Sequence, residues 1–138
     1  MGFAVGDEVT FSKTVSESDV YMFAGVTGDL APNHVDARYM AGTAYGRRIA
    51  HGVLVLGYTS TASTRALERA GEHAVSYGYD RVRFCAPVFF GDTLTVHYTT
   101  ERVDADEGKV YSAVRVTNQD DVVCLAATHV LKLVEAAK

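Results

Sequence analysis

The densest polar cluster in the chain is Thr27-Gly28-Asp29-Leu30-Ala31-Pro32-Asn33-His34-Val35-Asp36, which lies between two segments of helical character. A carboxylate and an imidazole that share one water form an acid/base pair near neutral pH, because the imidazole titrates there while the carboxylate stays ionised. Pro32 holds this loop and bars helix at Ala31, so Asp29 and His34 can approach from either side of a bend. As plain structure, Asp29 would be a turn residue after Gly28, and His34 a satisfied buried histidine. A second cluster, Gly46-Arg47-Arg48-Ile49-Ala50-His51-Gly52-Val53, leads directly into an apolar segment and strengthens the chemical reading. Gly52 falls in a first helical turn, where amides lack an intrahelical acceptor and the helix dipole favours negative charge. With no side chain to block it, the Gly52 amide can donate to a thioester or ester oxygen as an oxyanion hole, although a glycine there equally suits close helix and sheet packing.

The elements that must position these groups divide into a helical first half and a strand-rich second half. After a β-like start over Glu8 to Val15, Ser16-Glu17-Ser18-Asp19 reads as a capping box, with Ser16 accepting the amide of Asp19. Val20, Phe23 and Ala24 follow at helical spacing until Gly28 stops the pattern, and Asp36 caps another short helical piece through Tyr39 and Met40. From His51 to Ala70 the pattern predicts one long helix of roughly 30 Å, ended by Gly71. Its start is apolar on nearly every side (Val53, Leu54, Val55, Leu56), which places it inside the molecule. Past Gly71 the period changes to two: Leu94, Val96 and Tyr98 share one face of Thr93 to Thr99, and Val110 to Val116 alternates likewise. Turns at Asp104 to Gly108 and Asn118 to Asp121, then a last strand over Val122 to Val134, give an antiparallel meander. The expected class is α+β, a curved sheet wrapped around a buried helix.

Composition bounds what that scaffold can do. A chain of 138 residues, 48% hydrophobic and 22% charged, fits a single domain over residues 1–138, without room for a dinucleotide-binding unit plus a substrate domain. Thirteen Lys and Arg against 17 Asp and Glu give a net charge of −4, which argues against nucleic acid as a partner. Cys85 and Cys124 sit in apolar surroundings without metal or redox spacing and read as buried small hydrophobes. His51 would cap the long helix or face the substrate entrance, while His73, His97 and His129 lack ligand spacing, so no metal is expected. No apolar run approaches the roughly 20 residues that cross a bilayer, and Asp7 and Glu8 stand where a signal peptide would be basic, so the expectation is a cytoplasmic protein away from the membrane.

Three motifs in register carry a resemblance over essentially the whole chain: Thr27-Gly28-Asp29-x-x-Pro32-x-His34-x-Asp36, Arg48-Ile49-Ala50-His51-Gly52, and Arg83-Phe84-x-x-Pro87-Val88-x-x-Gly91-Asp92. Together they resemble the MaoC-like hot dog family, in particular the R-specific enoyl-CoA hydratases. The resemblance implies a hot dog fold. It also implies that Asp29 and His34 are the catalytic pair, activating a water for addition to a trans-2-enoyl thioester and giving the (3R)-hydroxyacyl product, or running the reverse dehydration. Gly52 matches the position whose amide binds the thioester carbonyl, and Ser60 a position near the site. Ala31 and Asn33 depart from the usual pattern, which has Asn and an aliphatic residue there; the displaced polar group makes Asn33 a substrate-binding candidate. No cofactor is implied beyond coenzyme A carried on the substrate, with acyl carrier protein as the other possible handle. Arg47 and Arg48 are then either a solvated turn or contacts for CoA phosphates, and Phe84, Phe89 and Phe90 either core or acyl-pocket wall. Family members pair edge to edge, implying a homodimer or higher homo-oligomer. Hydrolysis of an acyl-CoA on the same fold, or non-catalytic acyl-thioester binding, are the alternatives.

Overall fold

Ser16 starts the first helix as the sequence pattern predicts. Its hydroxyl accepts the Asp19 amide at 3.0 Å while the Asp19 carboxylate accepts the Ser16 amide at 3.2 Å, and helix α1 (Glu17–Thr27) runs until Gly28 closes it in a left-handed conformation, φ 83°. This computed structural model describes residues 2–135. Strand β1 (Glu8–Thr14) precedes α1. Two short helices follow it, α2 (Pro32–Val35) and α3 (Ala37–Ala41), the second capped by the Asp36 side chain on the Tyr39 amide as expected. The one-turn helix at Pro32 is the first departure from expectation. Proline is compatible with a first helical position, where its missing N–H is not needed, so Pro32 begins a turn of helix instead of only holding a loop.

Helix α4 (Gly52–Ala70) ends at Gly71, again left-handed with φ 67°. It lies across a five-stranded antiparallel sheet of order β1-β3-β4-β5-β2, formed with β2 (Ala74–Phe84), β3 (Thr93–Asp104), β4 (Lys109–Thr117) and β5 (Val123–Leu133). The core joins Leu94, Val96 and Tyr98 of β3, Val114 and Val116 of β4 and Leu125 of β5 to Val55, Tyr58, Ala62 and Ala66 of α4. Small residues at Ala62, Ser63, Ala66 and Ala70 form the helix face that meets the sheet and allow close approach. The expectation of an all-round buried helix is corrected here: Val53 is 60% exposed, and Gly57, Ser60 and Thr64 are exposed with it. One face of α4 is core and the other is surface. The meander holds for β3, β4 and β5, but β1 and β2 complete the sheet from outside it, β1 on β3 and β2 on β5. Among the described residues no helix is long and apolar enough to cross a membrane.

Candidate active site

Every sequence signal around Asp29 serves to fold the chain back on itself. Gly28 stops α1, the Thr27 hydroxyl accepts the Asp29 amide at 3.2 Å, and the Asp29 carboxylate accepts the Ala31 amide at 3.3 Å. The turn then passes into α2, which carries His34 inward until it is 8% exposed. The segment before α4 is tied to the same place: the Ile49 amide donates to the Asn33 carbonyl at 3.0 Å, and the Ala50 amide to the Val88 carbonyl at 2.7 Å. These two bonds place the start of α4 between α2 and the loop after β2.

His34 Nδ1 lies 2.8 Å from the Ile49 carbonyl. A carbonyl only accepts, so Nδ1 carries the hydrogen, which leaves Nε2 as the atom available to exchange a proton. His51, 3% exposed, stacks on His34 with ring centroids 3.7 Å apart and meets the edge of Phe23 at 4.8 Å. Its Nε2 donates to the Asp29 carbonyl at 3.0 Å and stands 4.0 Å from the Asp29 carboxylate. His51 occupies the capping position of α4, but its side chain makes no capping bond and turns to this contact instead. Its Nδ1 is buried without a hydrogen-bond partner among the described residues.

Ligand atoms of Asp29, His34 and His51 all fall within 4.8 Å of one another. Two hydrogen bonds of about 2.8 Å meeting at one water span about 4.5 Å, so this separation suits a shared water. A metal ion fits less well. Tetrahedral coordination needs lone pairs converging on a point, whereas stacked imidazoles send theirs along separate, nearly parallel planes.

His34, Asn33 and Gly52 line one cavity of about 390 Å³, walled by Ile49, Val53, Phe84, Cys85 and Val88 among others. The ring of Phe84 covers Gly52 so closely that a Cβ on Gly52 would fall 2.7 Å from it. Gly52 thus has the close packing contact expected of it, and it also stands in the first turn of α4 on the cavity wall. Asp29 stands at the rim with its side chain 55% exposed. Ser60 is not brought to this place. It is exposed midway along α4, and its carbonyl accepts the Ser63 hydroxyl at 2.8 Å.

Position bears on three further expectations. Cys124 is buried, but Cys85 is exposed at the cavity wall, which corrects its reading as a buried hydrophobe. Arg48 is a brace: it holds Glu17 and the Tyr21 hydroxyl, each at 2.8 Å, and lies over Phe90. Arg47 stacks over Phe89 at 3.9 Å and is exposed, the more available of the two cations. The residue that sequence reasoning undervalued is His51. Its adjacency to Gly52 was visible, but its stacking on His34 depends on a turn that no periodicity encodes.

A family model described as MaoC like domain matches residues 2–123 of the chain. An (R)-specific enoyl-CoA hydratase of Rhodospirillum rubrum is 39% identical over 94 residues, covering 68% of this chain and 63% of the relative, so the match spans just under two thirds of that protein. A 3-hydroxybutyryl-CoA dehydratase of Methylorubrum extorquens is 32% identical over 119 residues, 86% of this chain and 74% of the relative. The solved (R)-hydratase from A. caviae superposes with a TM-score of 0.88 at 27% identity, covering 96% of this chain and 98% of that one.

Proposed function

The chain belongs to the MaoC-like hydratase and dehydratase family with the hot dog fold, and from that premise we propose that it hydrates a trans-2-enoyl thioester to the (3R)-hydroxyacyl thioester, or catalyses the reverse dehydration. The observation that supports this most is that the Nδ1 bond to the Ile49 carbonyl fixes the His34 ring, with ligand atoms of His34 and Asp29 within 4.8 Å of each other, on the cavity that Gly52 also lines. In the proposed reaction the thioester carbonyl accepts the Gly52 amide, which polarises the conjugated system and makes C3 electrophilic. A water between Asp29 and His34 loses a proton to the pair as its oxygen bonds to C3. The carbonyl oxygen takes up the negative charge that develops, and a proton returned from the pair to C2 completes the addition of one water. Two charge-stabilising devices and no redox change are needed, so the proposal includes no cofactor beyond coenzyme A on the substrate.

Asn33 and Arg47 extend the proposal outward from the reacting atoms. Asn33 lines the cavity beside His34, where it would contact the acyl group, and Arg47 offers a cation to the phosphates of the carrier. Ser60, exposed on α4, enters the proposal only through an assembly. A homodimer is proposed because β2 is an edge strand with Val75 56% and Tyr77 63% exposed, apolar surface next to unpaired backbone. The whole chain is taken as one domain, and two free thiols fit a reducing compartment such as the cytoplasm.

A panel of trans-2-enoyl-CoA and carrier-protein thioesters, followed through loss of the conjugated absorbance, tests the reaction. Loss of absorbance without release of free thiol supports hydration. Thiol release would establish hydrolysis instead, and binding without turnover a non-catalytic acyl-thioester protein.

A further inference from the structure

Cys85 and Cys124 are distant in sequence, but the sheet makes them neighbours. β2 and β5 run antiparallel with Phe84 opposite Leu125, and one step further the Cys85 amide donates to the Cys124 carbonyl at 2.8 Å. Residues opposite each other on an antiparallel pair project from the same face with Cβ atoms about 4.5–5.5 Å apart. A disulfide takes a Cβ separation of about 3.5–4.5 Å, so an adjustment of about 1–2 Å would join the two sulfurs. Cys85 lies just past the end of an edge strand, where the backbone has room to give. Each thiol makes a weak contact to a nearby carbonyl, Cys85 to Arg83 at 3.6 Å and Cys124 to Val122 at 3.5 Å. Both side chains line the cavity that holds His34 and Gly52. Cys85 is exposed and Cys124 is buried, a division that suits an attacking and a resolving thiol.

We propose that Cys85 and Cys124 form a dithiol modification site on the cavity wall, closing to a disulfide by exchange with a small disulfide oxidant. The Cys85 thiolate attacks one sulfur of the oxidant, whose S–S bond breaks and whose other half leaves as a thiol. Cys124 then attacks the Cys85 sulfur and releases the second half as a thiol, its own proton going to solvent or to that leaving group. The protein loses two protons and two electrons, and the oxidant is reduced to two thiols. Burial, and after it the nearby Asp92 carboxylate, raise the Cys124 thiol above its ordinary range, which suits it to the resolving step within the chain. For turnover the consequence rests on the proposed hydration: a bond across this wall fixes the backbone between Phe84, which covers Gly52, and Val88, which holds Ala50.

Incubating the full chain with oxidised glutathione, followed by intact mass and thiol titration, tests the site. The wild-type protein is expected to become two hydrogens lighter with no free thiol, and dithiothreitol should restore it. Cys124→Ala should stop at a glutathione adduct on Cys85, and Cys85→Ala should take up none. A stable adduct on the wild-type protein, a disulfide between two chains, or unchanged thiols would overturn the proposal. Mass and thiol count judge the dithiol without reference to turnover, so a failure of the hydratase proposal stays separate. Where hydration is present, the oxidised protein should lose it about tenfold and recover it on reduction. Full turnover by fully oxidised protein would overturn the effect on the cavity.

Discussion

The imidazole of His51 stacks on that of His34 with centroids 3.7 Å apart and planes 22° from parallel. The same ring donates from Nε2 to the Asp29 carbonyl at 3.0 Å. His51 therefore links the two residues proposed to activate water, holding one by its face and the other by its backbone.

Replacing His51 should then misplace Asp29 and His34 relative to each other without removing either. His51→Leu is expected to lower kcat by about a hundredfold with little change in KM, the scale of a misplacement of about 1 Å. His51→Gln can still present a donor near the Nε2 position and should recover part of the loss. Steady-state kinetics of the two variants check this; equal losses in both would show that the ring matters only as packing.

Gly52 serves packing and chemistry together, and substitutions can separate them. In Gly52→Ala the new methyl must displace the Phe84 ring, since its position lies 2.7 Å from that ring. We expect both melting temperature and turnover to fall. Adding Phe84→Leu should restore the melting temperature but leave turnover about tenfold down, because the methyl still crowds the amide. Full recovery of turnover in the double variant would reduce Gly52 to a packing residue.

Arg47 stacks on Phe89 in the open, whereas Arg48 is committed to Glu17 and Tyr21. Arg47→Ala should raise KM for a CoA thioester several-fold at unchanged kcat, with the difference shrinking as salt is added. Arg48→Ala should instead lower the melting temperature. KM values measured at two ionic strengths, with thermal melts alongside, distinguish the two roles.

Acid should destabilise the fold through His129. This ring, 1% exposed, lies between the Tyr98 hydroxyl at 2.8 Å and the Ser76 hydroxyl at 2.7 Å, and burial lowers its pKa to about 4 from 6.5. Between those values the unfolded chain binds the proton and the folded one does not, so stability rises with pH across the window and is lost as pH falls from 6.5 towards 4. The full effect is up to about 3 kcal/mol. Denaturant melts at pH 7 and pH 4.5 check it, and His129→Gln should show a flatter dependence. Asp19 acts in the same direction at lower pH. Burial raises its pKa, but bonds from Lys13, the Ser16 amide and Tyr58 outweigh this and lower it, so its contribution is lost as pH falls through the carboxylate range.

Local chemistry made much of this legible in the sequence. The Ser16 and Asp19 box, the stops at Gly28 and Gly71, and the alternation of Leu94, Val96 and Tyr98 each depend on neighbours within a few residues, and each appears in the structure. What periodicity does not encode is which distant segments meet. The pairing of β2 with β5 brings Cys85 to Cys124, and the turn of helix at Pro32 brings His34 to His51. For the same reason the exposed face of α4 was hidden, because Val53 and Val55 are equally apolar and only packing separates surface from core.

The central claim is that Asp29 and His34 act together on one water. The most direct measurement is the rate of enoyl-CoA hydration by Asp29→Asn, His34→Ala and the double variant, each confirmed folded. Groups that act as a unit should each cost about 10²–10⁴-fold in kcat, and the double variant should cost little more than either alone. Retention of the wild-type rate in either single variant would contradict it.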